Sequence, residues 1–204
     1  MAVTEPEPDA AASVASLTKS QAARRDRVIE AARGLASEGG YDAVQMRAVA
    51  DRAGVALGTI YRYFSSKDHL LAAVLVAWAL DLEATVLQRL PKDPSTADRL
   101  CKILHKATGE MEEDPDLARA VLTAMTTTDE RVRESQREAA QVMWRVQVVA
   151  FHDDFDADAG IAIVRILGQV WFAALMGWVN GWRNITKVGD ELEFCARFLL
   201  APYD

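Results

Sequence analysis

Strand-like alternation is nearly absent from this chain of 204 residues, and 11 Gly and 6 Pro leave few places for tight turns. That excludes sandwiches, barrels and doubly wound sheets. Catalytic signatures are missing too. The histidines are only His69, His105 and His152, and none stands in a metal-ligand spacing such as HExxH. There is no GxSxG, no glycine loop that could cradle a phosphate, and no cysteine beside a base, so an enzyme is not expected. Asp153, Asp154, Asp156 and Asp158 cluster in a loop without the spacing or glycine of a calcium site, as a solvated turn would. Nothing calls for a metal or cofactor. The two cysteines, Cys101 and Cys195, sit singly in apolar helical patterns and read as buried thiols in a reduced compartment. No signal peptide opens the chain, and the best membrane candidate, 161–182, is interrupted by Arg165, Gln169 and Asn180. A buried or interface helix and a cytoplasmic protein without membrane partners are expected.

What is present is helical. Half of the residues are apolar, in long Ala- and Leu-rich segments at 3.6-type spacing, so the class is all-α. Charge is unevenly spread. The net charge is −7, yet residues 19–67 hold nine Lys/Arg against five acids, a local +4, while 68–204 carries −8. A basic module on an acidic body is expected when one end meets a polyanion and the other does not.

Residues 1–18 are acidic, Ala/Ser-rich and expected to be disordered. A helix from about 19 to 37 follows, stopped at Glu38-Gly39-Gly40, with Tyr41 and Val44 packing the connection back onto it. A second helix covers about Met46 to Ala53 and ends at Gly54. A third covers Leu57 to Phe64, close enough to the second to form a helix-turn-helix. Ser65-Ser66-Lys67-Asp68 starts a fourth, running to about Leu90 and wholly apolar from Leu70 to Leu80. Such a helix must be covered on several sides, making it the post of the body. Further helices are expected at about 96–112, 116–126, 129–151, 158–183 and 189–201. The division expected is a tail (1–18), a helix-turn-helix unit (19–66) and a helical body (67–204).

The stretch VQMRAVADRAGVALGTIYRYFSSKDHL, Val44 to Leu70, carries the chemistry. A helix that enters the major groove needs small and hydrogen-bonding side chains on its exposed face, and Ala56, Leu57, Gly58 and Thr59 supply them. Gly58 lies within a helix, where glycine costs about 1 kcal/mol relative to Ala, so something must approach closely there. Thr59, Tyr61 and Tyr63 can hydrogen-bond phosphate, and Leu57 can touch a thymine methyl. Arg47 can reach guanine or phosphate, Gln45 precedes it, and Lys67 stands at a helix N-terminus that itself favours phosphate. Ile60 and Phe64 fall on the inward side as core.

At these residues the chain resembles the DNA-binding segment of TetR-type transcriptional regulators. The shared run is Gly–Thr–apolar–Tyr–x–x–Phe–x–x–Lys, here Gly58, Thr59, Ile60, Tyr61, Phe64 and Lys67, and the likeness spans about residues 20–80. The stretch GGYDAVQMRAVADRAGVALGTIYRYF is similar to an actinobacterial subgroup that represses cholesterol catabolism and responds to coenzyme A thioesters of steroid intermediates. DPDLARAVLTAM and VWFAALMGW resemble it more loosely.

In the body, Met and aromatic residues make either ordinary core or the walls of a cavity for a bulky apolar ligand. The resemblance implies the second, a chamber between the fourth and eighth helices, with Trp78, Met125, Met143, Trp144, Trp171 and Leu175 as positions to probe. The last two helices are apolar on more than one face. Ile161, Val164, Gly168, Leu175 and Gly177 can pack inward or against a partner, and the residues alone leave a monomer possible. The resemblance implies a homodimer through those two helices, presenting two readers to a palindromic operator. A ligand-released repressor is therefore expected, the alternative being an architectural DNA binder without an effector.

Overall fold

The computed structural model describes residues 18–203; the expected disordered tail lies outside them except for Thr18, which caps the first helix. Nine helices and no strand are found among the described residues: α1 (Lys19–Ala43), α2 (Met46–Ala53), α3 (Leu57–Tyr63), α4 (Lys67–Gln88), α5 (Thr96–Glu113), α6 (Pro115–Ala124), α7 (Glu130–Val148), α8 (Ala157–Val179) and α9 (Thr186–Leu200).

Short polar side chains fix most starts, each satisfying an otherwise unpaired N–H of a first turn. Thr18 accepts from the Gln21 N–H while the Gln21 side chain accepts from the Thr18 N–H, a reciprocal capping box on α1. Ser66, Ser95, Asp114, Asp129 and Asp156 cap α4 to α8. The expected stop of α1 is a bend instead. Gly39 and Gly40 leave helical geometry, Gly40 at φ 66°, and the chain then re-enters one more turn to Ala43. Gly54, at φ 64°, closes α2 as expected.

α4 is the centre. It packs on α1, α6 and α7, while α5 packs on α9 and α9 on α8. Leu70, Leu71, Ala72, Ala79 and Leu82 on it are wholly buried. By length and composition α4 and α8 could each cross a membrane, but α4 stands inside the bundle. The buried core runs unbroken from Val28 on α1 to Leu200 on α9, across the expected boundary at residue 66. Reader and body thus share one apolar interior. Arg99 staples the far end. Its buried guanidinium donates to the carbonyls of Ala150, Asp93 and Pro94 and to Thr96 Oγ1 at 2.5–3.1 Å.

Candidate DNA-reading face and effector chamber

α2 and α3 cross about the Gly54 turn and are held from beneath by Val49, Ala50, Ile60 and Phe64, all buried. Ile60 and Phe64 are fully enclosed, as their inward register predicts. On the outer side Gln45, Arg47, Ala56, Gly58 and Tyr61 are exposed, and Leu57, Thr59 and Tyr63 half-buried. A Cβ added at Gly58 would meet no atom within 4 Å. Nothing inside the chain requires a glycine there. The Gln45 amide donates to the Asp42 carbonyl at 2.9 Å, which fixes its position ahead of α2.

Lys67 stands at the start of α4, as expected, and its ammonium is engaged within the chain. Its ammonium lies 3.6 Å from the centroid of the Tyr41 ring and donates to the Tyr41 carbonyl at 3.0 Å. The Tyr41 hydroxyl in turn donates to Asp68 Oδ1 at 2.5 Å. That hydrogen bond, with burial and the charges of Asp68 and Asp42 behind it, pushes the Tyr41 phenol up to about 12. Lys67, Tyr41 and Asp68 thus clamp the end of α1 onto the start of α4. Sequence reading gave Tyr41 only a packing role; a tyrosine just past a glycine pair, with a Lys-Asp start downstream, was the available signal.

The basic module is also thinned by internal pairing. Arg52 makes a two-pronged bond to Glu38 at 2.7 Å on each prong, and Arg33 pairs with Asp81 at 3.0 Å. Arg47 and Arg62 keep no carboxylate partner among the described residues. Arg62, one of the nine bases of the basic module, was not among the expected DNA contacts, although it stands four residues after Gly58 and so shares its face. Its guanidinium lies 5.2 Å from the Tyr63 ring.

Beneath the clamp, His69 packs edge-on against Phe64 at 5.4 Å, and its Nδ1 accepts from the Ser65 N–H at 3.2 Å. Burial, with the charge of Arg131 adding to it, holds its imidazole below the ordinary value, so it is neutral at pH 7.

Farther along α4 a chamber of about 670 Å³ opens between α4, α7 and α8. Trp78, Met125, Met143, Trp144, Trp171 and Leu175 all line it. The structure therefore brings together the six positions that the resemblance singled out. Trp78 and Trp171 are 8% and 7% exposed, whereas Trp144 is 43% exposed at the mouth beside Phe172. Sequence reading missed the polar members of the wall, Gln136, Gln147, Arg165 and Gln169. Three of them are glutamines, two on the charged α7 and one on the apolar α8, a type of residue that periodicity alone reads as surface. A second cavity of about 400 Å³ reaches toward α1 and shares Leu75, Trp78 and Met111 with the first. Trp78 stands as the partition between them.

Of the small and apolar α8 positions, Val164, Leu175 and Gly177 are buried, Gly168 is half-buried and Ile161 exposed, and Ile161, Val164, Gly168 and Leu175 line the chamber. Gly177 is small for an internal reason, because a Cβ there would lie 2.7 Å from Arg183 Cδ. Ile161 and Phe172 on α8 line the chamber and are half exposed, while Phe194 and Phe198 on α9 are exposed with their rings stacked.

A reader of two short crossed helices on a helical body that encloses an apolar chamber defines a helix-turn-helix transcriptional regulator. Residues 28–74 match the model for bacterial regulatory proteins of the tetR family, and residues 94–199 that for the tetracyclin repressor-like C-terminal domain. The chain belongs to the TetR family; it is a DNA-binding regulator and not an enzyme. The HTH-type transcriptional repressor KstR of Rhodococcus jostii (strain RHA1) is 34% identical over 183 residues, covering 90% of this chain and 85% of that protein. The crystal structure of a TetR transcriptional regulator from Rhodococcus sp. RHA1 superposes with a TM-score of 0.80 at 28% identity, over 91% of this chain and all of that one. Thermus thermophilus FadR, a TetR-family repressor crystallised with lauroyl-CoA, shares the fold at a TM-score of 0.67 and 19% identity, over 88% and 95% of the two chains.

Proposed function

We propose that the protein is a repressor that leaves its operator when a bulky lipid or steroid coenzyme A thioester fills the chamber on α4, α7 and α8. The observation that carries this reading is continuity. The helix that supplies Trp78 to the chamber wall begins with the Lys67 and Asp68 that clamp α1 of the reader. The volume of about 670 Å³ falls within the roughly 300–1,000 Å³ of sites for drug-sized ligands, which suits the acyl or steroid body of such a thioester. Arg165 at the mouth has no carboxylate partner among the described residues and is free to meet a phosphate or carboxylate. The likeness to KstR repressors and to a FadR crystallised with lauroyl-CoA supports a thioester effector.

In this reading residues 19–66 form the reader, touching DNA through Gln45, Arg47, Ala56, Leu57, Gly58, Thr59, Tyr61 and Tyr63, with Lys67 setting its angle to the body. The outward apolar faces of α8 and α9 join two copies, so that two readers face a palindromic operator. Ligand against Trp78 favours a dimer whose readers are wrongly spaced. It must bind that state better by about 1.4 kcal/mol for every tenfold loss of operator affinity. The test is a gel shift on DNA flanking the protein's own gene, titrated with stearoyl-CoA and with steroid-CoA thioesters. Release by a thioester and not by free coenzyme A is expected. Operator binding that no thioester moves, with no ligand detected by calorimetry, overturns the reading in favour of a constitutive DNA binder.

A further inference from the structure

Arg62 is the only charged residue of α3. An α-helix turns by about 100° per residue, so a side chain two places from another points to nearly the opposite side. Arg62 stands two places after Ile60 and two before Phe64, both fully buried, and therefore lies on the outward line of the helix. Four and three places before it on that side are Gly58 and Thr59, whose side chains are absent or short. The exposed arginine thus rises from a low surface. At seven residues, α3 is about 10 Å long, so its whole outward line fits a major groove about 12 Å wide.

The charge of Arg62 is not spent inside the chain. Its guanidinium lies 5.2 Å from the centroid of the Tyr63 ring, and one N–H donates to the Tyr63 hydroxyl at 3.3 Å. An aromatic face restrains a guanidinium without neutralising it, and the other donors of the fork remain available.

We propose that Arg62 reads a guanine at one position of each operator half-site, donating two parallel hydrogen bonds to its O6 and N7 in the major groove. The proposal rests on α3 being the helix that enters the groove. Phosphate contacts set the register of such a helix, and side chains that reach base edges supply its sequence preference. Within α3 only Arg62 can make two hydrogen bonds to one base. Leu57 and Gly58 have no polar side-chain atom, and Thr59, Tyr61 and Tyr63 offer one hydroxyl each. Guanine presents O6 and N7 as neighbouring acceptors, the pattern that an arginine fork matches.

The experiment selects bound duplexes from a randomised DNA pool with the full chain, then measures the affinity of the winning site and its single-base variants by fluorescence anisotropy. Wild type should prefer guanine at one position of the half-site by roughly five- to a hundredfold, the span of one bidentate base contact. Arg62→Ala should erase that preference and keep those at other positions. Arg62→Gln should move it to adenine, whose N6 and N7 suit a side-chain amide. Arg62 is exposed, so both variants should melt with the wild type, which separates lost reading from lost folding. Equal weakening on every sequence, with the salt slope reduced by about 1, would make Arg62 a phosphate anchor and overturn the proposal. An unchanged preference profile would overturn it as well. If Arg62→Ala and Tyr61→Ala both left the affinity for every duplex untouched, α3 itself would be removed from the groove and the reader assignment would fall with the proposal.

Discussion

Gly58→Ala should push stability and DNA binding in opposite directions. Gly58 is the second residue of α3 and has no positive φ, so alanine fits its backbone. The added methyl meets no atom within 4 Å. The free protein gains the helix-propensity difference, up to about 1 kcal/mol in a helix interior and less near an end. For a chain of this size each such kcal/mol raises the melting temperature by roughly 2–4 °C. On the operator the same methyl stands between the recognition helix and the duplex. Holding the helix off enough to lose about 1.4 kcal/mol per reader weakens binding roughly tenfold, or about a hundredfold for a pair acting together. Gly109→Ala is the control. It is also helical and also meets open space, but lies on α5, away from the reader. It should stabilise similarly and leave the operator untouched. Differential scanning calorimetry and a fluorescence-anisotropy titration of operator DNA read both quantities on one sample. A Gly58→Ala protein that melts higher and binds as tightly as wild type would refute close approach at this position.

Tyr61→Ala, at a side chain 52% exposed, should change the melting temperature little and weaken operator retention in a gel shift. Operator affinity should fall linearly on a log–log plot against salt, by about 0.9 per phosphate neutralised; a flat line would remove the basic face from DNA. Tyr41 keeps its proton in the folded state up to about pH 12, above its ordinary value of 10.0. The stability from its bond to Asp68 is therefore complete below about pH 10 and lost as pH rises through about 12. Tyr41→Phe should flatten that alkaline limb of a denaturation series, and an unchanged limb would assign it to other groups. Trp78→Ala, in the partition and 8% exposed, should cost about 3–5 kcal/mol of stability. Trp144→Ala, 43% exposed at the chamber mouth, should cost far less and act mainly on effector affinity, as a thermal shift with and without stearoyl-CoA would resolve.

Much of the local architecture needs only neighbours in the chain. A capping serine or aspartate acts on an N–H two or three residues away, and Gly54 closes α2 because φ 64° suits a residue without a Cβ. The inward set of the reader, Ile60 and Phe64, follows from register alone. Helix ends drift by a residue or two: α4 stops at Gln88 where an end at about Leu90 is expected. Gln147 shows the limit. Its position on α7 reads as polar and outward, yet it lies 2% exposed against the chamber. Its burial is decided by α4 and α8 closing over it. Lys67 shows the same limit on the reader side, because Tyr41 is 26 residues earlier and only the bend at Gly39 and Gly40 brings its ring beneath the ammonium.

The sequence by itself determined the helical class, the order of helices, the turn between α2 and α3 and the residues that face outward from it. These depend on periodicity, caps and glycine conformation, all short-range quantities. Tertiary structure alone decided which cations are spent on Glu38, Asp81 and Tyr41, and where Trp78 stands between two cavities. It also decided that Gln147 and Trp171 are buried in the wall of one chamber. Pairing and enclosure require residues far apart in the chain to meet, and no local pattern encodes which of them will.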